Sequence, residues 1–217
     1  MIRLYRFDYS PFVRKVQIVL DLAGERYEAV DVPYGDRTEL AELTGGYIQV
    51  PVLVVDGEVI TDSRNICRWL ASRPSGRWLV PRESAGAVWA FADWCDGPFE
   101  DVMFRIATPW LARRFKRAAD RAMFVFIKER KYGAGCVEQW EREHESLVRK
   151  AAEAIGPTLQ TLKERAFIFG SEPTLADAAL YGQFMMLKVA SAEFPAKVAK
   201  AIAPWMQSLE QWRRRAV

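Results

Sequence analysis

Apolar and polar residues alternate along IRLYRF, with Ile2 and Leu4 on one face, which predicts an opening strand. Helical spacing follows at once. Phe12, Val16, Val19, Leu20 and Ala23 form an apolar stripe that Gly24 closes. RYEAVDV alternates again, setting Tyr27 and Ala29 against Val30 and Val32, and TELAEL is a short helical turn ending at Gly45-Gly46. VPVLVVDGEVIT reads as two β-rich arms joined by a tight turn at Asp56-Gly57. DSRNICRWLASR returns to helix, with Ile66 and Leu70 four residues apart. The predicted order is β-α-β-α-β-β-α over residues 1–75. Its first two strands need a parallel, right-handed crossover.

That order fits a thioredoxin-like unit, and other small mixed sheets as well. The grammar then changes. PSGRWLVPRE reads as a linker, placed at 76–82, and from Glu83 to residue 217 the pattern is helical. Trp89, Trp94, Phe99 and Phe104 recur near helical spacing, interrupted by Gly97-Pro98. Pro109, Pro157, Pro173, Pro195 and Pro204 mark further breaks or starts, for about six helices in all.

Composition narrows the chemistry. Among 217 residues, 50% are hydrophobic and 27% charged, enough for a sizeable core. No apolar run is long enough to span a membrane. MIRLYRF lacks the apolar centre of a signal peptide, so a cytoplasmic protein without membrane partners is expected. Cys67, Cys95 and Cys136, an odd number scattered without CxxC spacing, support neither a disulfide framework nor a zinc site, and no metal is expected. His144, the only histidine, stands in EREHESLVRK, read as a solvated helix face. Catalysis by a histidine-paired nucleophile is therefore disfavoured. The net charge of +3 is modest. Basic groups at Arg113-Arg114, Lys116-Arg117, Lys128 to Lys131 and Arg213 to Arg215 fit solvated helices, so no nucleic-acid partner is expected.

Four local features carry the rest. Ser10-Pro11 joins a strand end to a helix start, where Ser caps and Pro at the first helical position loses no needed N–H. Pro51 opens an apolar strand after Gln49-Val50. A trans bond is the ordinary form there, and a cis bond would turn the Val50 backbone outward to pair with a peptide-like ligand. Asp62-Ser63 opens a helix, as a plain dipole partner or as a seat for the carboxylate and ammonium of an amino-acid group. Thr174 and Asp177 form a capping box, and Asp177 is read as structural.

In this order and spacing, SPFVRKV, VPVLVVDGEVITDSRNICRWL and FIFGSEPTLADAAL resemble the cytosolic glutathione transferase superfamily, in its serine-type, bacterial-like form. The resemblance implies the glutathione transferase fold: a thioredoxin-like α/β domain (1–75) that binds glutathione, then an all-α domain (83–217). It implies a cytoplasmic homodimer engaged in detoxification, with glutathione as co-substrate and a small hydrophobic electrophile as second substrate. Ser10 would donate to the glutathione sulfur. Val50, before Pro51, would pair with the cysteinyl backbone, and Asp62 and Ser63 would hold the γ-glutamyl end. Phe12 and Gln49 would border the ligand. Gln49 stands where a lysine is frequent, and Arg37, the only basic residue between Arg26 and Arg64, is the candidate for the glycine carboxylate.

Phe12, Phe99, Met103 and Phe104 are candidates for the apolar wall, with core packing the alternative for at least half of them. Tyr9 is a rival hydroxyl donor and Tyr5 a more remote one. Two other functions fit the same pattern: a glutathione-dependent disulfide reductase or peroxidase, and a non-enzymatic binding module. Ser10-Pro11-Phe12-Val13 holds no cysteine for direct dithiol exchange at that helix start.

Overall fold

A computed structural model of the protein describes residues 1–215, with side chains through Trp212. The basic cluster Arg213 to Arg215 lies outside the described side chains. Strands β1 (Ile2–Arg6) and β2 (Tyr27–Asp31) are parallel and joined through helix α1 (Pro11–Leu22). Helix α2 (Thr38–Thr44) leads to β3 (Val52–Val55) and β4 (Glu58–Thr61), and α3 (Ser63–Ser72) closes the unit. The sheet runs β2-β1-β3-β4, with β3 antiparallel to both of its neighbours. The predicted order is the observed one. Asp56 and Gly57 both take positive φ, +50° and +94°, as the tight turn between β3 and β4 requires.

Alternation along the strands builds two cores. Leu4 and Leu53 face the helical side and join Val16, Ile66 and Leu70 in the main core. Tyr5, Val52 and Val54 face the other way and pack on Leu40 of α2.

The second half holds eight α-helices among the described residues, against about six expected. Helix α4 (Ala85–Trp94) passes through a π-helical turn at Cys95–Phe99 into α5 (Glu100–Arg114). Gly97-Pro98 therefore does not break the rod. A π turn shifts the bonding pattern locally, so it accommodates a proline that has no N–H to give. Helices α6 (Ala118–Tyr132), α7 (Cys136–Arg142), α8 (His144–Glu164), α9 (Leu175–Ala190), α10 (Phe194–Val198) and α11 (Ile202–Arg215) follow. The short α7 and α10 account for the excess. Pro109 and Pro157 lie inside α5 and α8, where packing outweighs local propensity, while Pro173, Pro195 and Pro204 stand at helix starts as expected. No helix among the described residues is long and apolar enough to cross a membrane.

Helix α9 is the central post, buried at every position from Leu175 to Phe184, and α1 packs along it. Asp177, fully buried, accepts hydrogen bonds from Thr174 N, Thr174 Oγ1, Ile168 N and Trp205 Nε1. It ties the loop before α9 to α11, a structural role. His144 departs from expectation. Its ring lies 4.5 Å from Trp110 and 4.7 Å from Phe194, and neither ring nitrogen has a hydrogen-bond partner among the described residues. The periodicity of EREHESLVRK did not reveal that α5 and α10 close over it.

Candidate functional site

The end of β1, the start of α1, the loop before β3 and the start of α3 meet the α4–α5 rod and α6 in one cleft. The cleft has two chambers, of about 320 and 630 Å³, which share Phe12, Gln49, Val50 and Asp96 as walls. The residues proposed from sequence to meet glutathione, Ser10, Phe12, Arg37, Gln49, Val50, Pro51, Asp62 and Ser63, each line one or both. Asp62, Ser63 and Pro51 belong to the smaller chamber, Ser10 and Arg37 to the larger.

Ser10 is the N-cap of α1, with Pro11 next to it. Its Oγ accepts from Val13 N at 3.4 Å, a long cap bond. Accepting uses a lone pair and leaves the O–H proton free to donate into the larger chamber. Cap and donor are therefore compatible roles for one hydroxyl.

The Val50–Pro51 peptide is cis. Neither the N–H nor the C=O of Val50 has a hydrogen-bond partner among the described residues, although Val52 two residues on is paired with Tyr5. An extended ligand backbone thus finds one donor and one acceptor at the junction of the chambers.

Asp62 takes φ +72°, an unusual backbone for a residue other than glycine but one that aspartate tolerates. Its Oδ1 accepts from Arg64 N at 2.8 Å and Asn65 N at 3.4 Å, which caps α3. Its Oδ2 has no partner among the described residues and is available to an ammonium. Ser63 beside it is buried with its hydroxyl on the chamber wall. Arg64 pairs with Asp93 across the same chamber.

Arg37 pins the loop before Pro51: Nη1 donates to Ile48 O at 2.9 Å and Nε to Tyr34 O at 3.2 Å. Its guanidinium lies 5.0 Å from the Phe7 ring centre and 4.8 Å from that of Tyr34. Gln49 is exposed at the chamber rim.

The four apolar-wall candidates divide evenly. Phe12 and Phe104 line the larger chamber; Phe99 and Met103 are core, 1% and 0% exposed. Of the rival hydroxyls, Tyr5 is buried on the far face of the sheet. Tyr9 does line the larger chamber, stacked 5.6 Å from Phe7 and edge-on to Phe124. Burial, then the neighbouring Tyr34, pushes its phenol well above the ordinary tyrosine value.

Sequence reasoning missed the charged lining. Glu100, Lys128 and Lys131 face the larger chamber, and burial moves Glu100 up to about 7 and Lys128 down to about 8. Asp96 touches both chambers and pairs with Lys15 of α1, a lysine almost wholly buried. The i, i+4 spacing of Glu100 with Phe104 and of Lys128 with Tyr132 was visible in the sequence, but not what those faces look at. All three cysteines are buried and free, and burial pushes the Cys67 thiol up to about 12. Among the described residues no three His, Cys, Asp or Glu side chains gather as a metal ion would need.

Residues 4–78 match the family model of the glutathione S-transferase N-terminal domain, and residues 102–211 that of the C-terminal domain. A probable glutathione S-transferase of Zea mays is 32% identical over 116 residues, 52% of this chain and 46% of that protein. The chain spans about half the length of the curated relatives it matches. A glutathione S-transferase structure from Rhodospirillum rubrum is 25% identical, with a TM-score of 0.65 over 98% of this chain and 86% of that one. One from Ceriporiopsis subvermispora, in complex with glutathione, shares the fold: 17% identity and a TM-score of 0.71 over 100% and 98%.

Proposed function

The chain belongs to the glutathione S-transferase family, and from that premise we propose that it activates the glutathione thiol for attack on a small, largely apolar electrophile. The observation that carries the reading is the free Ser10 hydroxyl at a helix start, facing the chamber that also meets the unpaired Val50 backbone.

The chemistry needs a thiolate at neutral pH. A free thiol has a pKa of about 8.5. Lowering it by about two units takes roughly 2.7 kcal/mol of differential stabilisation. A helix N-terminus contributes about 0.3–1 kcal/mol, which falls short. A hydrogen bond to a charged acceptor adds about 1.5–3 kcal/mol, so Ser10 and the helix end together reach the requirement. Ser10 donates to the sulfur and attacks nothing. The thiolate's electron pair forms the new C–S bond, and the leaving group departs or the adduct takes up a proton.

Val50 pairs with the cysteinyl backbone, Asp62 Oδ2 and Ser63 take the γ-glutamyl group, and Arg37 with Gln49 receives the glycine carboxylate. Phe12 and Phe104 wall the second substrate. This is a serine-type assignment, and it rests on Ser10. The bacterial leaning draws support from the Rhodospirillum rubrum structure, although the curated relatives are plant proteins. Residues 1–75 form the glutathione domain in this reading, 76–82 the linker and 83–217 the helical domain. A cytoplasmic homodimer serving detoxification completes it. Direct dithiol chemistry finds no support, since no cysteine lines either chamber.

Retention on immobilised glutathione followed by turnover of an activated aryl halide tests the reading. Retention with conjugation is expected. Retention without any conjugation or reduction would leave a binding module.

A further inference from the structure

The larger chamber carries more positive charge than an apolar electrophile calls for. Lys128 and Lys131 stand about one turn apart on α6, and Arg37 lines the same chamber. Against them stand two carboxylates. Asp96 is already paired with Lys15, so Glu100 alone faces three cations.

Lys128 is the unusual one. It is half-buried, and no hydrogen bond or ion pair reaches it among the described residues. Its ammonium is 4.3 Å from the Phe124 ring centre and 5.3 Å from that of Phe104. Ring faces of this kind stabilise a cation in part, but they do not replace water or a counter-ion. Burial and the nearby charge of Arg37 both work against the charged form, as the lowered value of about 8 reflects. The attraction of a bound anion offsets both effects. Phe12, Phe104, Tyr132 and Met186 give the same chamber aromatic and apolar walls.

Building on the glutathione reading, we propose that the second substrate is an electrophile with an anionic group, such as a carboxylate, on an aromatic body. Lys128 is the residue that holds the anion. Ile48 and Tyr34 hold Arg37 on the sheet side through Nη1 and Nε, and Nη2 takes part in neither bond. Arg37 thus serves the glutathione carboxylate, and Lys128 is left to the second substrate.

Titration calorimetry on the full chain with glutathione, S-benzylglutathione and S-(4-carboxybenzyl)glutathione tests this without turnover. Wild type should favour the carboxylated conjugate over the plain one by roughly tenfold or more, the worth of a charge-assisted hydrogen bond. Lys128→Met should collapse that ratio towards one, and Lys128→Arg should retain most of it. A ratio that survives Lys128→Met overturns the proposal. So does an equal loss of affinity for all three ligands, which would assign Lys128 to glutathione's own carboxylate. Equal binding of both conjugates to wild type defeats the proposal alone, whereas no binding of any of the three defeats the glutathione reading beneath it.

Discussion

Gly182 of α9 lies against the Pro11 carbonyl at the start of α1, so the two helices meet backbone to backbone beneath the site. A Cβ there would fall well inside contact distance of Pro11 O and 3.1 Å from Lys15 N. Neither neighbour is a flexible side-chain end that could swing away. Gly182→Ala should therefore cost about 1–3 kcal/mol, measured by urea unfolding, and displace the Ser10 cap. Gly86, in the first turn of α4, has nothing within 4 Å of its notional Cβ. Gly86→Ala should instead stabilise by about 0.4–1 kcal/mol. Equal effects of the two changes would contradict this account of α1 and α9.

Lys15 and Asp96 form a second tie between α1 and the helical half, with the lysine side chain 3% exposed and the aspartate 22%. Burial pushes the Asp96 carboxyl up, and Lys15 opposes it. Lys15→Met leaves that carboxylate without its partner. A loss of about 3–5 kcal/mol in chemical unfolding is expected. A change below about 1 kcal/mol would mean that the pair is incidental.

His144 supplies a pH test. Burial, then Lys197, lowers its imidazole below the usual value, with Glu141, Glu145 and Glu193 opposing. A group whose folded pKa is lowered binds its proton more readily when unfolded. Stability is then full above the unfolded value of about 6.5 and declines as pH falls towards the folded value. His144→Phe keeps a ring between Trp110 and Phe194 and removes two unpartnered nitrogens. The melting-temperature difference between variant and wild type should be positive and should widen from pH 7.5 to 5.5. A gain of about 1 kcal/mol corresponds to about 2–4 °C. A constant or negative difference would contradict the buried-ring account. Glu100 has the opposite linkage, because its pKa is raised, so the difference is the informative quantity rather than either curve.

Much of this was legible in the sequence, for identifiable reasons. Alternation set β1 against β2, Asp56-Gly57 marked the hairpin turn, and Ser10-Pro11 marked a helix start; each is a local signal with a local cause. The main errors came from long-range packing. Pro98, Pro109 and Pro157 read as breaks because a proline's missing N–H is visible in sequence while the surroundings that absorb it are not. His144 sits in a charged run, yet Trp110 and Phe194 enclose it from distant helices. At the candidate site, the residues picked from sequence lie along one strand-to-helix edge and share the cleft. Asp96, Glu100 and Lys128 were missed because they reach the cleft only through the placement of the helical half.

The central claim is that the Ser10 hydroxyl lowers the pKa of the glutathione thiol. Thiolate absorbance of bound glutathione, titrated against pH in wild type, Ser10→Ala and Tyr9→Phe, addresses it directly. Wild type and Tyr9→Phe should titrate about two units below a free thiol, and Ser10→Ala near the solution value of about 8.5. A Ser10→Ala curve that overlays wild type, or a Tyr9→Phe curve that moves to the solution value, would contradict the account.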